Sequence, residues 1–89
     1  MKKKIAILGS TGSIGTETLK IINQNPKKFN VILLTTNNNA SKLFKQAKKF
    51  KVKNVIITNY QKYLLWKKKF LDHKIKIYYN FSSYEKIFL

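Results

Sequence analysis

The chain has 89 residues, 44% of them hydrophobic, which suits one small domain burying ~60–65% of its unfolded surface. It has no cysteine, so disulfides and thiolate metal sites are excluded, and no apolar run of about eighteen residues that would span a membrane. The formal charge is +16, yet all nineteen basic residues are lysines spread from Lys2 to Lys86, with no arginine for bidentate base contacts.

That charge predicts nonspecific attraction to polyanions at low salt, while the absence of arginine and the spread of the lysines argue against a specific nucleic-acid partner. Lys, Asn, Ile, Tyr and Phe share A/T-rich codons, so nucleotide bias alone accounts for the abundance of lysine. A basic nucleic-acid binder is the less favoured alternative, and it requires DNA affinity that survives physiological salt.

Along the chain, Met1-Lys2-Lys3-Lys4 followed by Ile5 to Leu8 is too soon interrupted by Gly9 for a signal peptide, and the expected location is the cytoplasm. Lys3 to Leu8 reads as a first strand, nearly all apolar after Lys4. All three glycines then fall in Gly9-Ser10-Thr11-Gly12-Ser13-Ile14-Gly15, ahead of an amphipathic helix from Ser13 to about Asn25. Gly9 suits a turn that a side chain would forbid, Gly12 leaves room for a phosphate, and Gly15 permits close packing of helix on strand. The free N–H groups of the helix start, with its dipole, would face the anion. The hydroxyls of Ser10, Thr11 and Ser13 are candidate extra donors. A dinucleotide pyrophosphate site is the reading. The spacing is G-x-x-G-x-x-G rather than G-x-G-x-x-G, and Ile14-Gly15-Thr16 lacks the lysine of a phosphate-loop NTPase.

In the first helix, Ile14, Thr18, Leu19 and Ile22 form the expected inward face. Glu17 is placed in its first turn, where it suits the dipole, and Asn25-Pro26 closes it. Val31 to Leu34 reads as a second buried strand ending at Thr35-Thr36, and Asn37-Asn38-Asn39 as a loop. Ala40, Leu43, Phe44, Ala47 and Phe50 stripe a second helix, with Lys42, Lys45, Lys48 and Lys49 outside it. Val55 to Ile57 is a third strand. Tyr60 to about Asp72 is a third helix with Tyr63, Leu64, Phe70 and Leu71 inward, and Ile75 to Tyr79 is a fourth strand. Ser82 or Ser83 is positioned to cap a last helix, Tyr84 to Phe88. Regular alternation predicts an α/β fold: a partial Rossmann-like parallel sheet of about four strands with flanking helices.

In such a fold the tip of the second strand meets the adenosine ribose, where NAD sites place an acid. No acid occurs between Glu17 and Asp72. Thr35, Thr36, Asn37, Asn38, Asn39 and Lys42 are available instead, and neutral donors with a nearby cation favour NADP(H) over NAD(H). His73 reads as a solvated helix-end residue, and Trp66 and the five tyrosines as core and rim. Three scattered acids, Glu17, Asp72 and Glu85, make no divalent-metal cluster, and no nucleophile–base–orienter set is visible. The residues themselves therefore offer no catalytic and no metal-ligating candidates.

Lys3-Ile5-Ala6-Ile7-Leu8 running into Gly9 to Gly15, then Thr18-Leu19, Asn25-Pro26 and Phe29, closely resembles the amino-terminal end of 1-deoxy-D-xylulose 5-phosphate reductoisomerases. The resemblance is strong from about Lys3 to Thr58. It implies an NADPH-dependent enzyme of the non-mevalonate isoprenoid route. Such an enzyme rearranges 1-deoxy-D-xylulose 5-phosphate and reduces the intermediate to 2-C-methyl-D-erythritol 4-phosphate with Mg²⁺ or Mn²⁺, as a homodimer. By motif match, Thr11, Gly12, Ser13 and Ile14 would hold the cofactor phosphates. The family's second contact group, usually Gly-Lys/Arg-Asn, falls on Asn37, Asn38 and Asn39, and only Asn39 keeps the family residue. The family's metal-binding acids, substrate-phosphate ligands and active-site loop would lie past residue 89. The expectation is thus that residues 1–89 are the amino-terminal part of an NADPH-binding domain, catalytically incomplete: a fragment, a truncated product or a decayed gene. A standalone or vestigial nucleotide-binding module is the alternative.

Overall fold

The computed structural model describes residues 2–83. Four strands, β1 (Lys3–Ile7), β2 (Phe29–Thr36), β3 (Asn54–Ile57) and β4 (Lys76–Tyr78), alternate with three helices, α1 (Ser13–Asn23), α2 (Ala40–Lys49) and α3 (Tyr60–Asp72). A short 3₁₀ turn, Phe81–Ser83, follows β4. The expected last helix, Tyr84 to Phe88, lies outside the described residues.

The strands form one parallel sheet in the order β1-β2-β3-β4. Each new strand is added on the same side, and crossovers of a single hand then carry every helix to the same face. The packing agrees. Leu19 and Ile22 of α1, Leu43 and Ala47 of α2 and Phe70 of α3 join Ile7, Val31, Leu34, Val55, Ile57 and Ile77 in one core. The register aligns these strand residues: Ile7 opposite Leu34, Leu34 opposite Val55, Val55 opposite Ile77. Leu33 and Ile56 project from the other face and are also buried, so β2 and β3, the inner strands, bury side chains on both faces. A bulge between Ile5 and Ala6 leaves Ile32 without a register partner in β1.

Two helices end in the same way. Lys51 (φ 57°) and Lys74 (φ 61°) are left-handed. The N–H of Lys51 donates to Lys48 and that of Val52 to Ala47; Lys74 donates to Leu71 and Ile75 to Phe70. This is the Schellman arrangement, with lysine where glycine is usual. The residue that follows, Val52 or Ile75, is buried, which holds the chain in the turn.

Several expectations are corrected. β1 stops at Ile7, and Leu8 is 57% exposed. Ile14 is 83% exposed: the sheet-facing stripe of α1 is Gly15, Leu19 and Ile22, and Ile14 lies on the neighbouring stripe with Thr18 and Ile21. β1 is an edge strand, and Ile14 and Ile21 of that second stripe are left exposed. Leu64 and Leu71 are exposed, because α3 at the opposite end of the layer touches the core only along Tyr63, Trp66 and Phe70. Glu17 stands in the second turn of α1, not the first, and pairs with Lys20 at 3.1 Å.

Candidate functional site

The C-terminal ends of β1 and β2 are where the connection to each following helix turns back, and in open α/β sheets ligands bind along that edge. After β1, Gly9 adopts φ +70°, and its N–H donates to Thr35 Oγ1 at 2.8 Å while Ser10 N–H donates to Thr35 O at 2.9 Å. Gly12 N–H closes the turn onto Gly9 O at 3.1 Å, and Thr16 N–H begins the helical ladder on Gly12 O.

The three glycines are not equivalent. A Cβ at Gly15 would stand 2.5 Å from Gly9 O and 2.6 Å from Ser10 Cα, so the helix rests directly on the turn. A Cβ at Gly12 would stand 3.4 Å from Gly9 O, an ordinary contact. Protein packing therefore demands glycine at position 15 and not at position 12.

At α2 and α3 the side chains of Asn39 and Asn59 accept from Lys42 N–H and Lys62 N–H. At α1 the cap residue is Gly12, and no side chain caps the helix. The N–H groups of Ser13, Ile14 and Gly15 point out of the first turn with no intrahelical acceptor. A concavity of about 500 Å³ opens over Gly9, Gly12, Ser13, Ile14 and Gly15. It adjoins exposed main-chain donors at the positive end of a helix dipole, an arrangement suited to a phosphate.

The hydroxyls behave differently from expectation. Ser10 is fully buried, and its Oγ donates to Gln46 Oε1 at 2.8 Å while Gln46 Nε2 donates back to Ser10 O at 2.9 Å. It faces α2 and cannot reach a ligand. Thr11 Oγ1 is bonded to Thr36 Oγ1 at 2.7 Å, and only the Ser13 hydroxyl of the three stays exposed. Gln46, which fastens the turn to α2, escaped the sequence reading. Its one signal was an uncharged polar residue among the lysines of an otherwise charged face.

At the end of β2, Thr35 and Thr36 are 4% exposed and committed to the glycine turn, so neither hydroxyl is free for a ribose. Asn37 Oδ1 accepts from Thr58 Oγ1 at 2.8 Å, Asn39 caps α2, and Asn38 is exposed. The two loops are nevertheless brought together. Thr11 meets Thr36, Asn39 N–H donates to Thr36 Oγ1 at 3.3 Å, and Lys42 Nζ reaches back to Thr11 O at 3.0 Å. Thr11 to Ile14 and Asn37 to Asn39 thus form neighbouring parts of one edge.

His73 is the C-terminal cap of α3, exposed, with Nδ1 at 2.9 Å from Lys69 O and its ring edge-on to Phe44. Trp66 packs against Phe44 and Phe70. Among the described residues no three His, Cys, Asp or Glu side chains lie together. No helix among them is long and apolar enough to cross a membrane.

The family model for 1-deoxy-D-xylulose 5-phosphate reductoisomerase matches residues 5–88. The reductoisomerase of Pelagibacter ubique is 54% identical over 86 residues, 97% of this chain and 22% of the relative. That of Porphyromonas gingivalis is 54% identical over 78 residues, 88% of this chain and 20% of the relative. The chain therefore spans about a fifth of the length of the curated relatives it matches. Among solved structures, the Zymomonas mobilis reductoisomerase in complex with NADPH superposes with a TM-score of 0.86 at 28% identity, covering 98% of this chain and 23% of that one. A reductoisomerase complex with NADPH, fosmidomycin and magnesium gives 0.81 at 31% identity, covering 88% of this chain and 19% of that one.

Proposed function

The chain belongs to the 1-deoxy-D-xylulose 5-phosphate reductoisomerase family, and from that premise we propose that it is the dinucleotide-binding portion of such an enzyme. Its ligand is NADPH. The observation that carries this reading is the uncapped start of α1, set behind a glycine that no protein contact requires. The N–H groups of Ser13 and Ile14, the backbone at Thr11 and the open side of Gly12 take the diphosphate. The Asn37–Asn38–Asn39 loop borders the adenosine. NADPH, when bound, supplies the hydride of the family reaction. The residues of this chain hold and orient its adenosine and diphosphate, and leave the nicotinamide to the rest of the enzyme.

The family reaction, conversion of 1-deoxy-D-xylulose 5-phosphate to 2-C-methyl-D-erythritol 4-phosphate in the cytoplasm by a homodimer, is proposed for a complete enzyme of which this stretch is one part. The described residues do not fit the divalent metal, offering no cluster of carboxylates or imidazoles, and no metal step is assigned to them. Titration of the chain with NADPH and NADH, followed by fluorescence or calorimetry, tests the reading. Saturable NADPH binding, tighter than NADH, is expected. Absence of binding to either dinucleotide would refute a retained site.

A further inference from the structure

We propose that Lys42 recognises the 2′-phosphate of the cofactor and so sets the preference for NADP(H). The inference rests on the dinucleotide site proposed above and adds to it the residue that separates the two dinucleotides. Among the described residues Lys42 is the single lysine that is not exposed; every other lies in solvent. The residue is half-buried because its side chain folds back onto the glycine turn instead of extending into solvent. No acid draws it there. The ion pairs of the described residues are Lys20–Glu17 and Lys68–Asp72, and the partner of Lys42 Nζ is a neutral carbonyl, Thr11 O at 3.0 Å.

An ammonium has three donors, and this contact uses one. Its position is fixed from both ends. The main-chain N–H of Lys42 donates to Asn39 Oδ1, Asn39 N–H donates to Thr36 Oγ1, and Thr36 Oγ1 bonds Thr11 Oγ1. The side chain therefore closes a ring of contacts between the glycine turn and the end of β2. In this fold the diphosphate sits at the first of these places and the adenosine ribose at the second. A phosphate on the ribose 2′ oxygen adds negative charge at the end of β2, and Lys42, in the first turn of α2, is the near cation. Thr35 and Thr36 are sequestered and no acid stands there, so the loop lacks the carboxylate that rewards a free 2′-hydroxyl.

The test measures dissociation constants of NADPH and NADH for the unmodified chain, Lys42→Met and Lys42→Arg, with circular dichroism confirming the fold. Loss of a charge-assisted bond predicts at least about tenfold weaker NADPH binding in Lys42→Met, with NADH within about twofold and Lys42→Arg retaining the preference. Competition by 2′,5′-ADP should weaken in parallel and that by 5′-AMP should not. Equal weakening of both dinucleotides would overturn the proposal, since it would make Lys42 a structural clamp on Thr11 alone. Unchanged NADPH binding would overturn it too. Should Lys42→Met not fold, Lys42→Gln keeps a donor for Thr11 O without the charge, and the same comparison decides. An unmodified chain that binds neither dinucleotide would overturn the site itself, an outcome distinct from a site that binds NADPH whatever stands at position 42.

Discussion

Glycine at 15 and glycine at 12 serve different ends, and substitution separates them. A methyl group at position 15 collides with the backbone of Gly9 and Ser10, so Gly15→Ala should cost about 3 kcal/mol, seen as a fall in the urea midpoint. At Gly12 the same methyl group meets only an ordinary contact. Gly12→Ala should leave the urea midpoint within about 0.5 kcal/mol of the original while NADPH affinity falls on the order of tenfold. Ser10 gives the converse case. Its hydroxyl serves Gln46, so Ser10→Ala should cost about 1–2 kcal/mol and leave NADPH affinity of the folded fraction unchanged. A serine in a glycine turn invites the role of phosphate donor. Which way it turns depends on α2, thirty-six residues further along, and no local pattern records that.

Helix ends carry the next layer of information. Asn37 to Asn39 were legible as a loop, and the structure uses Asn39 as the cap of α2; Asn59, the cap of α3, was not singled out. The start of α1, which has none, is where a ligand would complete the helix. Lys51 and Lys74 adopt the left-handed geometry that glycine adopts with least strain. Lys51→Gly and Lys74→Gly should each stabilise the fold by about 0.5–1 kcal/mol, raising the melting temperature without changing NADPH affinity. The apolar stripe of α1 shows the limit of periodicity. Ile14, Thr18, Leu19 and Ile22 lie within one broad arc, but a helix over an edge strand has sheet beneath only part of that arc. Leu64 and Leu71 of α3 mislead for the same reason at the other end of the layer.

Over the whole molecule, the charge of +16 acts as a diffuse field, with all lysines except Lys42 in solvent among the described residues. Its attraction for polyanions should fall linearly on a log–log plot against salt. Raising salt from about 50 to 200 mM should therefore release DNA from the chain by on the order of 10³-fold. DNA binding that persists at the higher salt would instead favour a nucleic-acid role. The three helices lie on one face of four parallel strands, and Leu8 after β1 and Ile14 and Ile21 of α1 are left exposed. This distribution follows from strand order, which periodicity does not encode: each βαβ unit reads identically whichever side the next strand joins.

Sequence alone determined the alternation of strands and helices, the glycine turn between β1 and α1, and the family, because these depend on short-range angles, periodicity and motif wording. Tertiary structure decided which hydroxyls are taken up by protein partners, which apolar residues are covered and why Lys42 differs from the other lysines. Those outcomes depend on contacts between residues some twenty-five to thirty-six positions apart, such as Thr11 with Thr36, Lys42 with Thr11 and Ser10 with Gln46. A side chain's partner is set by where the sheet places its neighbours, and that is a property of the packed chain rather than of any stretch of it.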